Sequence, residues 1–234
     1  RPVQYERGGY DSKTDIHCPM YIDYEESEKY CKSDGVKPYI QCEYAHAMGN
    51  SEGGFKEYWD LIRKYPKYQG GYIWDFVDQG LRDKSPVTGK DIFYYGGDYG
   101  RYPASDYNFN CNGIIAPDRR LNPHAYEIQY WHQNVWIKNL DAVNGAFNIY
   151  NENFFKNIDD LHLTATIYAN GVKLSTVEIP ETKGIAPQTT KMVKSDALKY
   201  AIAEAESEHG KEEITVNFAF ASDGTEPLVE KGQA

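Results

Sequence analysis

Tyr39-Ile40-Gln41-Cys42-Glu43-Tyr44-Ala45-His46-Ala47-Met48-Gly49-Asn50 runs from a short apolar stretch into a carboxylate, an imidazole, a glycine and a carboxamide. The first five residues, Tyr39–Glu43, read as a strand and the rest as the loop that leaves it. Downstream, Phe55, Tyr58, Trp59 and Ile62 recur at helical spacing. The predicted helix begins near Asn50-Ser51, a capping pair, and stops before Pro66. The next apolar run, Gly71–Val77, reads as another strand. Upstream, Val3–Glu6 and Asp15–Tyr21 are further candidate strands, and Glu25–Lys32 is either a polar helix or a solvated loop. Strands that alternate with helical segments, and that lack a clean period of two, point to a parallel sheet buried on both faces. In a parallel α/β barrel the reactive groups stand at the C-terminal strand ends. Glu43 lies at such an end, where a carboxylate can attack the anomeric carbon of a sugar or serve as a structural ion-pair partner. His46 is either part of that chemistry or a satisfied loop histidine.

Two further clusters have the same strand-to-polar form. In Gly70-Gly71-Tyr72-Ile73-Trp74-Asp75-Phe76-Val77-Asp78-Gln79, Trp74 offers a stacking face or a core ring. Tyr95-Gly96-Gly97-Asp98-Tyr99-Gly100, with Phe109-Asn110-Cys111-Asn112-Gly113, lacks both glycine-rich phosphate motifs and reads as a turn-rich active-site loop. Asp106, Asp118, Asp159 and Asp160 read as solvated or turn residues. Neither zinc spacing, a calcium loop nor a Ser-His-Asp order is present.

The second half changes period. Leu161, Leu163, Ala165 and Ile167 alternate with polar residues, Asn170-Gly171 signals a hairpin, and Val172–Ile179 follows. Ile214, Val216, Phe218 and Phe220 alternate again, so this half reads as an antiparallel sandwich. Ser195–Glu208 is read as a helix in preference to a decorated loop. The boundary is set near Asn122-Pro123, giving domains 1–122 and 123–234.

Composition sets outer limits. The 234 residues carry 25 Lys and Arg against 35 Asp and Glu, a net charge of −10, which argues against nucleic acid as a partner. No apolar run approaches the roughly 20 residues that span a bilayer. Aromatic residues make up 15%, with 21 Tyr and 4 Trp, a composition suited to sugar clefts and to sandwich cores. Four scattered cysteines, Cys18, Cys31, Cys42 and Cys111, read as free buried thiols, which favours a reducing compartment. The opening Arg1-Pro2-Val3-Gln4-Tyr5-Glu6 is neither a signal nor a transit peptide and reads as a strand inside a longer polypeptide.

Taken together, Arg1–Glu6, Cys18-Pro19-Met20-Tyr21, Cys42–Asn50, Trp74-Asp75 with Val77-Asp78-Gln79, Tyr95-Gly96-Gly97-Asp98, Phe109–Gly113 and Asp118-Arg119 resemble, in order, the blocks of the large bacterial β-galactosidases of glycoside hydrolase family two. The match is dense over residues 1–125 and rests on pattern beyond. It implies a multi-domain α/β plus all-β chain. The first part would be the C-terminal half of a (β/α)8 TIM barrel, strands five to eight, with sheet edges that favour association. An antiparallel immunoglobulin-like β-sandwich would follow, ending before its last strand.

The resemblance also implies roles. Glu43 is the nucleophile of a retaining β-galactosidase that forms a covalent galactosyl intermediate, with Tyr21 beside the reacting carboxylates. Met20 lines the cleft, His46 bonds galactose hydroxyls and Trp74 packs on the sugar ring. The Phe109 carbonyl and the Asn112 side chain hold a sodium ion that touches the sugar. The acid/base glutamate of an Asn-Glu pair, and the magnesium ligands, are expected before Arg1; Asn151-Glu152 falls in the sandwich half and is a coincidence. The implied partners are a β-galactoside, the remainder of the parent polypeptide and further copies in a homo-oligomer, in the cytoplasm by preference, with the periplasm left open. The isolated chain is then expected to be inactive. A family-two relative acting on another β-glycoside, such as a glucuronide, and a non-catalytic carbohydrate-binding module are the alternatives.

Overall fold

Each half of the chain builds its own core. The computed structural model describes residues 1–8, 13–99 and 104–233, divided into two compact units, Arg1–His132 and Gln133–Ala234. In the first unit α1 (Tyr24–Lys32) starts at Asp23, whose side chain accepts a hydrogen bond from the Glu26 N–H. It is followed by β1 (Tyr39–Tyr44), α2 (Phe55–Lys64) and β2 (Tyr68–Ile73). The two strands pair in parallel, with Gln41 opposite Gly71 and Tyr44 opposite Ile73. Gly71 is required there, since a Cβ would stand 2.7 Å from the Tyr44 ring. A hairpin of β3 (Leu81–Lys84) and β4 (Asp91–Tyr94) and the helix α3 (His124–His132) complete the unit.

The parallel array extends on both sides of this pair. Single parallel bridges join His17 to Tyr39 and Met20 to Glu43, and the Cys42 N–H donates to the Pro19 carbonyl at 2.8 Å. Beyond β2, residues 75–78 lie alongside 112–115, with Val77 bridged in parallel to Ile115. Among the described residues the array does not close into a barrel. The expected strands Val3–Glu6 and Asp15–Tyr21 are not continuous ones. Pro19 has no N–H to give a ladder, and the Val3 N–H is taken by the Asp15 carboxylate at 2.6 Å. The helix expected to begin at Asn50-Ser51 begins instead at Phe55. Gly54, at φ +68°, turns the chain into it, and Tyr24 Oη donates to the Gly54 carbonyl at 2.9 Å.

Packing explains much of the aromatic content. Tyr39 and Tyr68 are buried edge to face, 4.7 Å between centroids, against Cys31, Tyr58 and Leu61. Tyr44, Phe55 and Ile128 form a second cluster with Trp59, Ile73 and Trp131. Burying each large ring contributes about 1.5–3 kcal/mol. Since α3 packs on α2, the unit boundary falls after His132 rather than at Asn122-Pro123.

The second unit comprises β5 (Val135–Asp141), β6 (Ala146–Asn151), β7 (Leu161–Ala169), β8 (Val172–Ile179), β9 (Thr189–Lys194), α4 (Asp196–His209) and β10 (Ile214–Ser222). Two antiparallel sheets form, ordered β5-β6-β9 and β10-β7-β8. Asn170 and Gly171, at φ +45° and +78°, make the tight turn between β7 and β8. The segment read as a helix is α4, capped by Ser195, whose hydroxyl accepts from the Leu198 N–H at 3.2 Å. Phe147, Ile149, Leu163, Ile167, Val193 and Leu198 meet in one core. Strands β5 and β6 are joined by a turn that holds a second Asn-Gly pair, Asn144-Gly145, with Gly145 at φ +60°.

All four cysteines are free thiols, but only Cys18 and Cys31 are buried; Cys42 is half-buried and Cys111 exposed. None of the described helices is long and apolar enough to cross a membrane.

Candidate active site

Hydrogen bonds between neighbouring strand ends bring the candidate residues together. Glu43 lies near the C-terminal end of β1, and its carbonyl accepts from the Tyr21 N–H at 2.9 Å. The loop after β1 is tied to the end of β2, since the Trp74 N–H donates to the Tyr44 carbonyl at 3.3 Å and the Ala47 N–H to the Trp74 carbonyl at 2.9 Å. His46 is fixed within that loop by the Ser51 hydroxyl, which donates to the His46 carbonyl at 2.6 Å. Tyr21, Glu43, His46, Trp74 and Phe109 thereby line one cavity of about 440 Å³. Tyr21, Ala45 and Cys111 hold left-handed backbone conformations, at φ +51°, +48° and +57°, of the kind non-glycine residues adopt only where surrounding contacts enforce them.

Most of the polar groups are paired with one another, but the buried Trp74 Nε1 has no hydrogen-bond partner among the described residues. The Tyr21 phenol donates to Glu43, and its pKa is raised above that of an ordinary tyrosine, by burial first, then by that bond and the charges of Glu43, Cys42 and Asp75. Its proton is thus retained at neutral pH, where it can stabilise an ionised Glu43. The His46 ring stacks on Phe109 at 5.4 Å and meets the Tyr21 ring edge-on at 6.0 Å. Asn112, fully buried, brings Nδ2 to 3.3 Å from His46 Nε2. Asp75 Oδ2 accepts from Gln79 Nε2 at 3.1 Å, and Gln79 Oε1 from the Asn112 N–H at 3.2 Å. Asp78 accepts from the Gly113 N–H at 2.7 Å and from Asn122 Nδ2 at 3.1 Å. A carboxylate, a phenol, an imidazole and an indole around one opening can orient a sugar and attack its anomeric carbon.

The Met20 side chain is not among the residues lining this cavity. Its backbone bridges Glu43, but its sulfur lies 3.7 Å from Arg7 Nη2, and it lines a second cavity of about 880 Å³ with His17, Tyr30 and Tyr39. The Phe109 carbonyl and the Asn112 carboxamide oxygen are uncharged oxygen donors of the type a hard cation takes, so they fit a sodium ion in kind. Among the described residues no three His, Cys, Asp or Glu side chains are grouped to hold a metal. Asn151-Glu152 is structural. Asn151 Nδ2 donates to the Lys156 and Ile185 carbonyls, each at 3.0 Å, and Glu152 accepts from Trp136 Nε1 at 2.8 Å. Of the glycine-rich loop, Gly96–Asp98 makes a single 3-10 turn, and Gly100 lies outside the described residues.

Three roles escape sequence reasoning. Asp75 and Asp78 hold the strand end that carries Asn112, and Gln41, in the middle of β1, bonds the backbone next to Tyr21. The bonds of Gln41 to Ile22 and of Asp78 to Gly113 and Asn122 join residues remote in sequence, and no local spacing announces them.

Residues 1–137 match the family described as "Glycosyl hydrolases family 2, TIM barrel domain", and residues 147–234 match "Beta-galactosidase, domain 4". Among similar curated proteins, a β-galactosidase of Leuconostoc mesenteroides is 36% identical over 99% of this chain and 23% of its own length. One from Aeromonas hydrophila is 40% identical over 82% of the chain and 20% of its length. One from Halalkalibacterium halodurans is 42% identical over 74% of the chain and 17% of its length. The chain thus spans about a fifth of the length of the relatives it matches.

Proposed function

Because the chain belongs to glycosyl hydrolase family 2, we propose that it supplies the nucleophile half of a retaining β-galactosidase: part of a catalytic TIM barrel followed by an immunoglobulin-like sandwich. The observation that supports this reading is the convergence of Tyr21, Glu43, His46, Trp74 and Phe109 on one cavity. Glu43 attacks the anomeric carbon of a terminal β-galactoside as the aglycone leaves, and the resulting galactosyl ester is hydrolysed by water. Tyr21 steadies the carboxylate before attack and after release. Trp74 offers an apolar plate for the sugar ring, and His46, held by Asn112, orients its hydroxyls.

A retaining reaction needs a second carboxyl group about 5–5.5 Å from the first, to protonate the leaving oxygen and then deprotonate water. In this proposal that acid/base glutamate and the magnesium ligands belong to the parent polypeptide outside these 234 residues. The Phe109 carbonyl and Asn112 carboxamide would hold a sodium ion, which supplies a fixed positive charge for a sugar hydroxyl.

An activated 2-fluoro-galactoside with a dinitrophenyl leaving group tests the assignment, because such a leaving group needs no general acid and the fluorine slows ester hydrolysis. Incubated with the parent polypeptide, it should add one fluorogalactosyl mass to the peptide containing Glu43. A label on Asp75 or Asp78 instead refutes the nucleophile assignment. The 234-residue chain alone should turn over a chromogenic galactoside no faster than its Glu43→Gln variant.

A further inference from the structure

Two residues before Glu43 on β1 is a polar side chain that neither lines the cavity nor belongs to an apolar cluster. Gln41 is fully buried. A buried carboxamide left without partners costs about 1–3 kcal/mol per unsatisfied group, but this one is bonded at both ends. Its Oε1 accepts from the Ile22 N–H at 2.7 Å, and its Nε2 donates to the Ile22 carbonyl at 3.2 Å and to Tyr68 Oη at 2.8 Å. Tyr58 Oη donates to the same Ile22 carbonyl at 3.2 Å. Both peptide groups of Ile22 are therefore held to β1, the carbonyl also to α2, while Tyr68 of β2 ties Gln41 itself, and Ile22 directly follows Tyr21.

Tyr21 needs such a hold. Its φ of +51° belongs to the left-handed region, which costs a non-glycine residue about 1–3 kcal/mol unless its surroundings enforce it. On its N-terminal side the Tyr21 N–H is bonded to the Glu43 carbonyl at 2.9 Å. On its C-terminal side the bonds to Ile22 come from Gln41, two residues away on the same strand. Released from the second restraint, the backbone at Tyr21 would relax towards the ordinary extended or helical regions and carry the phenol off the carboxylate.

We propose that Gln41 is a positioning residue: by clamping both peptide groups of Ile22 it fixes the left-handed turn at Tyr21 and keeps the phenol against Glu43. Its significance for catalysis rests on the reading of Glu43 as nucleophile. The geometric claim does not, and the experiment reads only the phenol.

The whole chain labelled with carbon-13 at the tyrosine ζ position gives the test, with the Tyr21 resonance identified by its loss in Tyr21→Phe. In the native chain that resonance should titrate well above the ordinary tyrosine value of about 10. In Gln41→Met, which keeps the length and volume of the side chain but not its bonds, the proton affinity should fall at least tenfold, towards that ordinary value. Tyr68→Phe removes one bond to Gln41 but leaves the Ile22 clamp, so it should lower stability without moving the Tyr21 titration. Should Gln41→Met fail to fold, Gln41→Asn, one methylene too short to span to Ile22, carries the same expectation. A Gln41 variant that melts earlier yet leaves Tyr21 titrating as before overturns the proposal, as does a Tyr68→Phe shift of equal size. Fluoro-galactoside labelling at a site other than Glu43 refutes the functional reading and leaves this result standing.

Discussion

In the parent polypeptide, Glu43→Gln should reduce hydrolysis of a β-galactoside by about 10⁴-fold or more, the scale on which loss of a covalent nucleophile acts. The carboxamide is nearly isosteric and can still accept from the Tyr21 phenol, so the melting temperature should change little. That contrast separates chemistry from folding. In Glu43→Ala, which vacates the carboxylate's volume, added azide should restore turnover of an activated substrate. Azide then attacks from the side Glu43 occupied, in one displacement, and the product is the α-galactosyl azide. Retention of more than about 1% of native activity by Glu43→Gln, measured on a purified protein free of wild-type enzyme, would remove Glu43 from the mechanism.

The second large effect concerns stability. The Glu52 side chain is only 1% exposed, and neither carboxylate oxygen has a hydrogen-bond partner among the described residues. It lines a cavity of about 400 Å³ with Asp78, Asn122 and His124. His124 Nε2 is 4.0 Å away and bonds instead to the Gly113 carbonyl at 2.9 Å. Burial, then the charge of Glu127, pushes the Glu52 carboxyl up to about 7. A carboxyl whose pKa is higher folded than unfolded stabilises the fold while protonated. Its contribution is present in full below the unfolded value of about 4.5 and is lost as pH rises through about 7. The whole displacement corresponds to about 3 kcal/mol, of which solvent in the cavity screens a part, leaving about 2 kcal/mol. Glu52→Gln should therefore match the native chain near pH 4.5 and exceed it by about 2 kcal/mol at pH 8, in urea unfolding across that range. Parallel stability curves for the two proteins would show that Glu52 does not titrate in this window.

Glu52 also marks how far the sequence could be read. The strand-to-loop run through Glu43 and His46, the amphipathic spacing of α2 and the Asn170-Gly171 hairpin were legible because each depends on neighbours within a turn or two. Glu52 falls in the first turn of the helix that the Asn50-Ser51 cap predicts, where nothing nearby marks it for burial; His124 and Glu127 of α3, about seventy residues further on, act on it. Gln41 looks like a polar interruption in a strand, since its partner, Ile22, is nineteen residues upstream. The late start of α2 was hidden because Asn50-Ser51 is a good cap in isolation, whereas Tyr24, from another helix, selects Gly54. The family resemblance places Met20 in the cleft that Tyr21 enters, but the chain leaves the extended region at Tyr21, at φ +51°, and the Met20 sulfur lies against Arg7 instead.

The bridge that sets Met20 against Glu43 is a kind of vernier. Sliding residues 17–21 past β1 by a single step would carry the Tyr21 phenol roughly 3.3 Å along the strand from the carboxylate, with composition and hydrophobicity unaltered. Sliding by two would displace it by roughly 6–7 Å, more than a hydrogen bond can bridge. Deleting or inserting one residue between Asp15 and Tyr21 is therefore a different kind of lesion from any point substitution there: the same side chains remain, and their alignment is lost.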